Sequence, residues 1–221
     1  MEKMPFRDAE VAVNVQSIIS AARAVTTISD WRQALPVLTG SMVTLRELRL
    51  SDAPSLLSML ATEEVARFIS PPPTTVEGFE RFIAWTHRER AAGNYACFAV
   101  VPHGMDTAIG IFQIRQLEPG FATAEWGFAI GSAFWGTGVF VDGAKLIVNF
   151  AFDVIGTHRL EARAAVANGR GNGALRKVGA VCEGVIANGL VLNGRALDQY
   201  YWTVSADDRP RRKIVWDLRT H

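Results

Sequence analysis

The chain has 221 residues, 49% hydrophobic and 20% charged, with a formal net charge of +1. That length closes one sizeable core or at most two small ones, and the near-neutral balance supplies no long-range field for gathering nucleic acid or an anionic bilayer. No apolar run approaches the roughly 18 residues of a membrane span, and Asn14 and Gln16 interrupt the N-terminal apolar stretch, unlike a secretory signal, so a cytoplasmic protein is expected.

Val11, Val15, Ile18, Ile19, Ala22 and Val25 recur at helical spacing, which predicts an amphipathic helix in an extension over residues 1–40. Trp31, Pro36 and Gly40 punctuate the end of that extension, and the main domain is expected over residues 41–205. Residues 42–50 read as a strand through Val43, Leu45 and Leu48; Ser51 and Asp52 then signal a helix start, with Pro54 in the first turn and an end near residue 60. Pro71, Pro72 and Pro73 forbid helix. Thr74 or Thr75 caps a second helix that carries Val76, Phe79, Phe82, Ile83 and Trp85 and stops by Gly93.

Strand-like runs over residues 95–101, 108–117 and 122–130 follow, joined by turns at His103-Gly104 and Pro119-Gly120, an antiparallel meander. A helix is predicted over 139–154 and a strand over 160–166. Residues 168–173 read as a glycine-rich loop opening a short helix over 174–178. Two last strands, 180–187 and 196–204, are separated by Asn188-Gly189 and Asn193-Gly194, and residues 206–221 form a tail with Arg209, Arg211, Arg212 and Lys213. The order predicts an α+β fold: a mixed sheet of about seven strands flanked by helices. Cys97 and Cys182 stand far apart among apolar neighbours; they read as buried thiols, with neither a disulfide framework nor a metal site.

The segment FWGTG, from Phe134 to Gly138, precedes the 139–154 helix. A helix N-terminus presents unpaired N–H groups and partial positive charge, so it attracts phosphate where side chains leave room, and Gly136 and Gly138 leave room. The segment is neither a Walker loop, lacking Gly-Lys-Ser/Thr, nor a dinucleotide fingerprint, lacking a third glycine.

In order, AEWGFAI (124–130), FWGTG, a helix, HRLEARAAVAN (158–168) and GALRKVGA (173–180) resemble the GNAT acyltransferase superfamily, and within it the branch of RimJ-like and RimL-like ribosomal-protein N-terminal acetyltransferases. The likeness covers about residues 41–205. It implies a splayed sheet that binds acetyl-CoA, with pyrophosphate on the turn at Gly136, Thr137 and Gly138 and with Trp135 among the donor-binding residues. It also implies pantetheine beside Phe128, Ala129, Ile130 and Gly131, and a hydrogen bond from Asn168 to the pantetheine arm. The chain departs from the family pattern in three places. Trp135 stands where Gln or Arg is usual, Phe140 where Gly or Ala is usual, and Leu175 where many members carry the Tyr that protonates the leaving thiolate.

Acyl transfer from a thioester needs a neutral amine, a polarised carbonyl and a proton for sulfur. Glu125, which interrupts an apolar strand and matches an acidic position of the branch, is the candidate base. Tyr200, beside Asp198, and Ser132 are candidate acids, and Arg170, flanked by glycines, is the first choice among Arg163, Arg170, Arg176 and Lys177 for the 3′-phosphate of CoA. Each has a plain structural alternative: sheet-surface ion pair, strand-end hydrogen bond, ordinary loop residue, solvated cluster. His158 has no partner His, Asp or Cys in a catalytic pattern and reads as structural. The sequence therefore predicts an acyl-CoA-dependent N-acyltransferase acting on a primary amine, by direct transfer because neither cysteine sits in an activating motif. The alternatives are a non-catalytic acyl-CoA-binding or regulatory module of the same fold, and a structural protein assembled through its N-terminal helix. No nucleic-acid or membrane partner is expected, and a monomer and a homodimer are equally compatible with the sequence.

Overall fold

The computed structural model describes residues 30–192 and 194–207; the helix predicted near residues 11–25 and the basic tail lie outside the described residues. β1 (Leu38–Thr39) and β2 (Val43–Glu47) lead through a single 3-10 turn (Leu50–Asp52) into α1 (Ala53–Leu60), α2 (Glu63–Ala66) and α3 (Val76–Ala91). The meander follows as β3 (Tyr95–Pro102), β4 (Gly110–Gln116) and β5 (Thr123–Ile130), then α4 (Val139–Phe150), which continues as one π-type turn (Ala151–Ile155). β6 (Arg159–Ala165), α5 (Gly169–Lys177), β7 (Val181–Leu192) and β8 (Arg195–Ser205) complete the chain. The eight strands make one sheet in the order β1-β2-β3-β4-β5-β6-β8-β7. Of its neighbour pairs, only β5 and β6 run parallel.

Period-two alternation sends the two sides of each strand into different cores. Leu45, Phe98, Phe112, Trp126 and Ala162 pack with Ala144 and Ile147 of α4 and Leu175 of α5. On the opposite face Cys97, Ala99 and Ile111 pack with Leu56 and Leu60 of α1 and with Phe79 and Ile83 of α3. Gly143 lets α4 lie close on the sheet, since a Cβ there would meet the Phe112 ring at 2.6 Å.

Four differences from the sequence reading have local causes. The sheet begins before Ser41: Leu38 and Thr39 pair with Leu45 and Thr44, and Trp31 and Leu35 are already in the core, so an eighth strand joins the expected seven. Residues 169–173 are helix rather than loop. Asn168 caps the helix by accepting from the Gly171 N–H at 2.9 Å, and buried Asn172 donates to the Ala165 carbonyl at 2.9 Å. Asn188-Gly189 is an irregularity inside β7, where register shifts between Ile186 and Leu190; the last pair of the β7–β8 hairpin is Leu192 with Arg195. Cys182 is exposed, because β7 is the edge strand, whereas Cys97 is buried. The Thr75 cap is present, its hydroxyl accepting from the Gly78 N–H at 3.0 Å.

Asp142 fixes the start of α4 against the sheet. Its carboxylate accepts from the Ser41 N–H (3.1 Å), the Ser41 hydroxyl (2.9 Å), the Met42 N–H (2.8 Å) and the Val43 N–H (3.1 Å). Partial burial pushes its pKa up, but the bonds from Met42, Ser41 and Val43 outweigh that and hold it below the ordinary carboxylate value. A depressed carboxyl contributes stability that is complete above its unfolded pKa, about 3.9, and is lost as pH falls through the folded value. Asp142→Asn is therefore expected to cost about 2 kcal/mol at pH 7, a fall in Tm of roughly 4–8 °C for a domain of this size. In scanning calorimetry the gap between wild type and variant should close below about pH 4.

Candidate active site

The parallel pair β5 and β6 is matched over only three residues: Thr123 with Arg159, Ala124 with Leu160 and Glu125 with Glu161. Both strands continue, β5 held on its far side by β4 as far as Ile130 and β6 by β8 as far as Ala165. Beyond Glu125 the strands therefore part. A cavity of about 850 Å³ lies at their diverging ends, bordered by Phe128, Ala129 and Ile130 from β5 and by Ala167 and Asn168 ahead of α5.

The glycine turn forms another side of this cavity. After Ile130 the chain makes one 3-10 turn (Ser132–Phe134), and Trp135 returns to donate its indole Nε1–H to the Ile130 carbonyl at 2.8 Å. Gly136 and Gly138 are left-handed, at φ 79° and 97°, and Gly138 is the N-cap of α4 with no side chain bonded to the helix start. The first N–H groups of α4 are thus without a capping side chain. The Phe140 ring packs on Phe128 (centroids 4.5 Å apart) and Phe112 (5.8 Å) and also borders the cavity.

Phe128, Ala129, Ile130, Trp135, Gly136, Gly138, Asn168 and Arg170, residues the sequence assigns to donor binding, all border the cavity. Thr137 does not. Its hydroxyl proton is committed to the Phe134 carbonyl at 2.7 Å within the turn. The cap on Gly171 occupies Oδ1 of Asn168, so the group it can offer an amide ligand is the donor Nδ2. Arg170 is not the unattached guanidinium its flanking glycines suggest, because it lies over the Trp135 ring, 4.6 Å from the centroid.

None of the proposed proton-transfer groups borders the cavity. Glu125 is the last matched residue before the strands part and forms an ion pair with Arg115 of β4. Ser132 opens the 3-10 turn, its carbonyl accepting from the Trp135 N–H at 3.1 Å. Tyr200 packs edge-on against Trp202 in the α5-side core. The carboxylate of Asp198 accepts from the Asn188 N–H at 2.9 Å and braces the β7 irregularity, where Asn188 has φ 54°. Leu175 is buried core, so α5 offers no phenol at that position.

Sequence reasoning missed the segment from Glu64 to Ile69, which supplies Glu64, Arg67 and Phe68 to the cavity wall. Its helix is four residues long, too short for periodicity to register. Among the described lining residues the ionisable side chains are Glu64, Arg67, Arg170 and Lys177: three cations to one carboxylate, beside an uncapped helix start.

The profile of the acetyltransferase (GNAT) domain matches residues 42–181. The chain belongs to the GNAT acetyltransferase family. The uncharacterized N-acetyltransferase p20 of Bacillus licheniformis is 23% identical over 163 residues, covering 73% of this chain and 92% of that protein. Among solved structures, RimJ of Mycobacterium smegmatis in complex with CoA-disulfide superposes with a TM-score of 0.70 at 19% identity, over 80% of this chain and 88% of the other. The ribosomal-protein-S5-alanine acetyltransferase of Vibrio fischeri also gives 0.70 at 19%, over 79% and 99%. At such identities the structures establish the fold. In this GNAT acetyltransferase the cavity lies at the parted strands and the turn before α4. Among its described residues no helix is long and apolar enough to cross a membrane.

Two glycine substitutions in this GNAT domain should move stability in opposite directions. Gly138→Ala forces an L-residue into a left-handed conformation and should cost about 1–2 kcal/mol. Gly173→Ala, inside α5 with nothing within 4 Å of the added Cβ, should gain about 0.5–1 kcal/mol. Urea unfolding of the two variants against wild type measures both.

Proposed function

We propose that the protein transfers the acetyl group of acetyl-CoA to a primary amine, a protein N-terminus or a small-molecule amine, and that it belongs with the RimJ-like and RimL-like enzymes. The observation that carries this reading is the composition of the cavity. An uncapped, glycine-lined helix start and three cations against one carboxylate suit a polyanion. The parted edges of β5 and β6 suit a ligand with amides of its own, because backbone N–H and C=O groups need partners. The likeness in fold to RimJ and to the S5-alanine acetyltransferase supports the branch.

In this reading the phosphates sit against Gly136 and Gly138, with Arg170 near them. The pantetheine arm runs back along β5 past Ile130, Ala129 and Phe128, with Asn168 donating from Nδ2. From Ile130 to Glu125 is five residues, roughly 17 Å at the usual strand rise, so the thioester end approaches the point where the strands part. There the neutral amine nitrogen attacks the thioester carbonyl carbon, the C–S bond breaks, the nitrogen gives up a proton and the sulfur takes one.

An amine of pKa about 8–10 is mostly protonated at neutral pH, so a carboxylate must accept that proton directly or through water. We assign this to Glu125, with the Arg115 pairing holding the carboxylate in place. Tyr200 and Ser132 stand as the candidate acids, each reaching the sulfur through water, since neither borders the cavity.

Calorimetric titration with acetyl-CoA tests the donor. Micromolar binding, with desulfo-CoA binding as well and ATP not, is expected; no binding by folded protein sinks the reading. For the base, Glu125→Gln should lower kcat with an identified amine by about 10²–10⁴-fold while acetyl-CoA binding persists. A larger loss in Glu64→Gln than in Glu125→Gln would move the role to Glu64, the carboxylate that borders the cavity.

A further inference from the structure

The turn that would hold an anion has no charge of its own. From Gly131 to Val141 there is not one ionisable side chain, and the first that follows, Asp142, is committed to Ser41, Met42 and Val43. A phosphate at this helix start would meet backbone N–H groups alone unless a cation reaches it from elsewhere.

Arg170 is in position to do so. It belongs to α5, on the opposite side of the cavity, yet its guanidinium lies 4.6 Å from the centroid of the Trp135 ring, and both residues border the cavity. The ring is a fixed platform. Trp135 packs against the hydrophobic clusters on both faces of the sheet, and its Nε1–H is bonded to the Ile130 carbonyl. A planar guanidinium resting on an indole face keeps its N–H edge available for hydrogen bonds, because the stacking uses the face of the group and not its donors.

We infer that Trp135 and Arg170 form a cross-cavity cation platform. The indole, anchored in the turn before α4, holds the α5 arginine where it supplies the positive charge that the turn lacks, and this pair fixes the affinity for the phosphate-bearing part of the donor. The inference rests on the acetyl-CoA reading. It adds that Trp135 acts through Arg170 as a positioning residue and that the two side chains work as one unit.

The test is calorimetry on the full chain with two ligands, acetyl-CoA and S-acetyl-pantetheine, which lacks the phosphates. Arg170 is exposed, so its variants should fold. Arg170→Gln is expected to weaken acetyl-CoA binding about tenfold, as for loss of a charge-assisted contact, to flatten its salt dependence, and to leave acetyl-pantetheine affinity within about twofold, inside the scatter of ±0.5 kcal/mol for an uninvolved surface site. Arg170→Lys should fall between, keeping the charge without the planar fork. Trp135→Leu should match Arg170→Gln, with no further loss in the double variant, because residues acting as one unit are not additive. Trp135→Phe, which keeps an aromatic face, should stay closer to wild type and guards against a Leu variant that fails to fold.

Unchanged acetyl-CoA affinity in Arg170→Gln, equal losses for both ligands, or additive losses in the double variant would each overturn the platform while leaving the donor reading in place. Wild-type protein that binds neither ligand would overturn the donor reading and the platform together.

Discussion

The early end of pairing between β5 and β6 is the constraint on which the rest of the molecule turns. Two parallel strands matched over three residues and then separated would ordinarily unravel, since buried backbone groups left without partners cost free energy. Here each strand is secured on its other edge, β5 by seven residue pairs to β4 and β6 by seven to β8, so the gap is an opening between two well-made half-sheets. Glu125 and Glu161 mark its closed end, each paired to an arginine, Arg115 on the neighbouring β4 and Arg159 two residues earlier on β6 itself. These pairings offset the cost of setting two like charges side by side on neighbouring strands.

Everything around the gap follows from keeping it open and reachable. α1 and α3 cover one face of the sheet and α4 and α5 the other, but α4 and α5 begin at the gap, so two helix starts converge on one cavity. Asp142 ties the first turn of α4 to the chain entering β2. The buried Asn172 ties the first turn of α5 to the Ala165 carbonyl at the end of β6 and accepts from the Trp202 indole at 3.0 Å. Both anchors are polar side chains whose bonds are internal to the fold. The surface left for a ligand combines glycine, aromatic and aliphatic residues with the ionisable side chains of Glu64, Arg67, Arg170 and Lys177.

Much of this was legible in the sequence, because the strands and longer helices have strong periodicity and firm punctuation: the Thr75 cap, the prolines at 71–73, the meander turns at His103-Gly104 and Pro119-Gly120. Part of the cavity wall was legible for a related reason, since Gly136 and Gly138 directly ahead of an apolar helix mark a start that no side chain caps. What escaped was tertiary. Glycines at 169, 171 and 173 argue for loop until one sees Asn168 and Asn172 bonded to the backbone around them. Asn188-Gly189 has the local chemistry of a turn, yet a longer hairpin absorbs it with Asp198 bonded across. The partners of Glu125, Ser132 and Tyr200 depend on which face and which end of a strand they occupy, and spacing along the chain carries neither. The four-residue α2, which gives the cavity its carboxylate, is below the length at which any pattern can be read.

The start of α5 has one more consequence. Three glycines in its first five positions make this turn intrinsically poor helix, by about 0.8–1.0 kcal/mol per glycine relative to alanine, and the side chains of Asn168 and Asn172 hold it closed. Its amide protons should therefore exchange with solvent through a local opening far less costly than global unfolding. The wall of the cavity that carries Arg170 is thus the less costly one to open, whereas the wall that carries Trp135 is packed against both hydrophobic clusters.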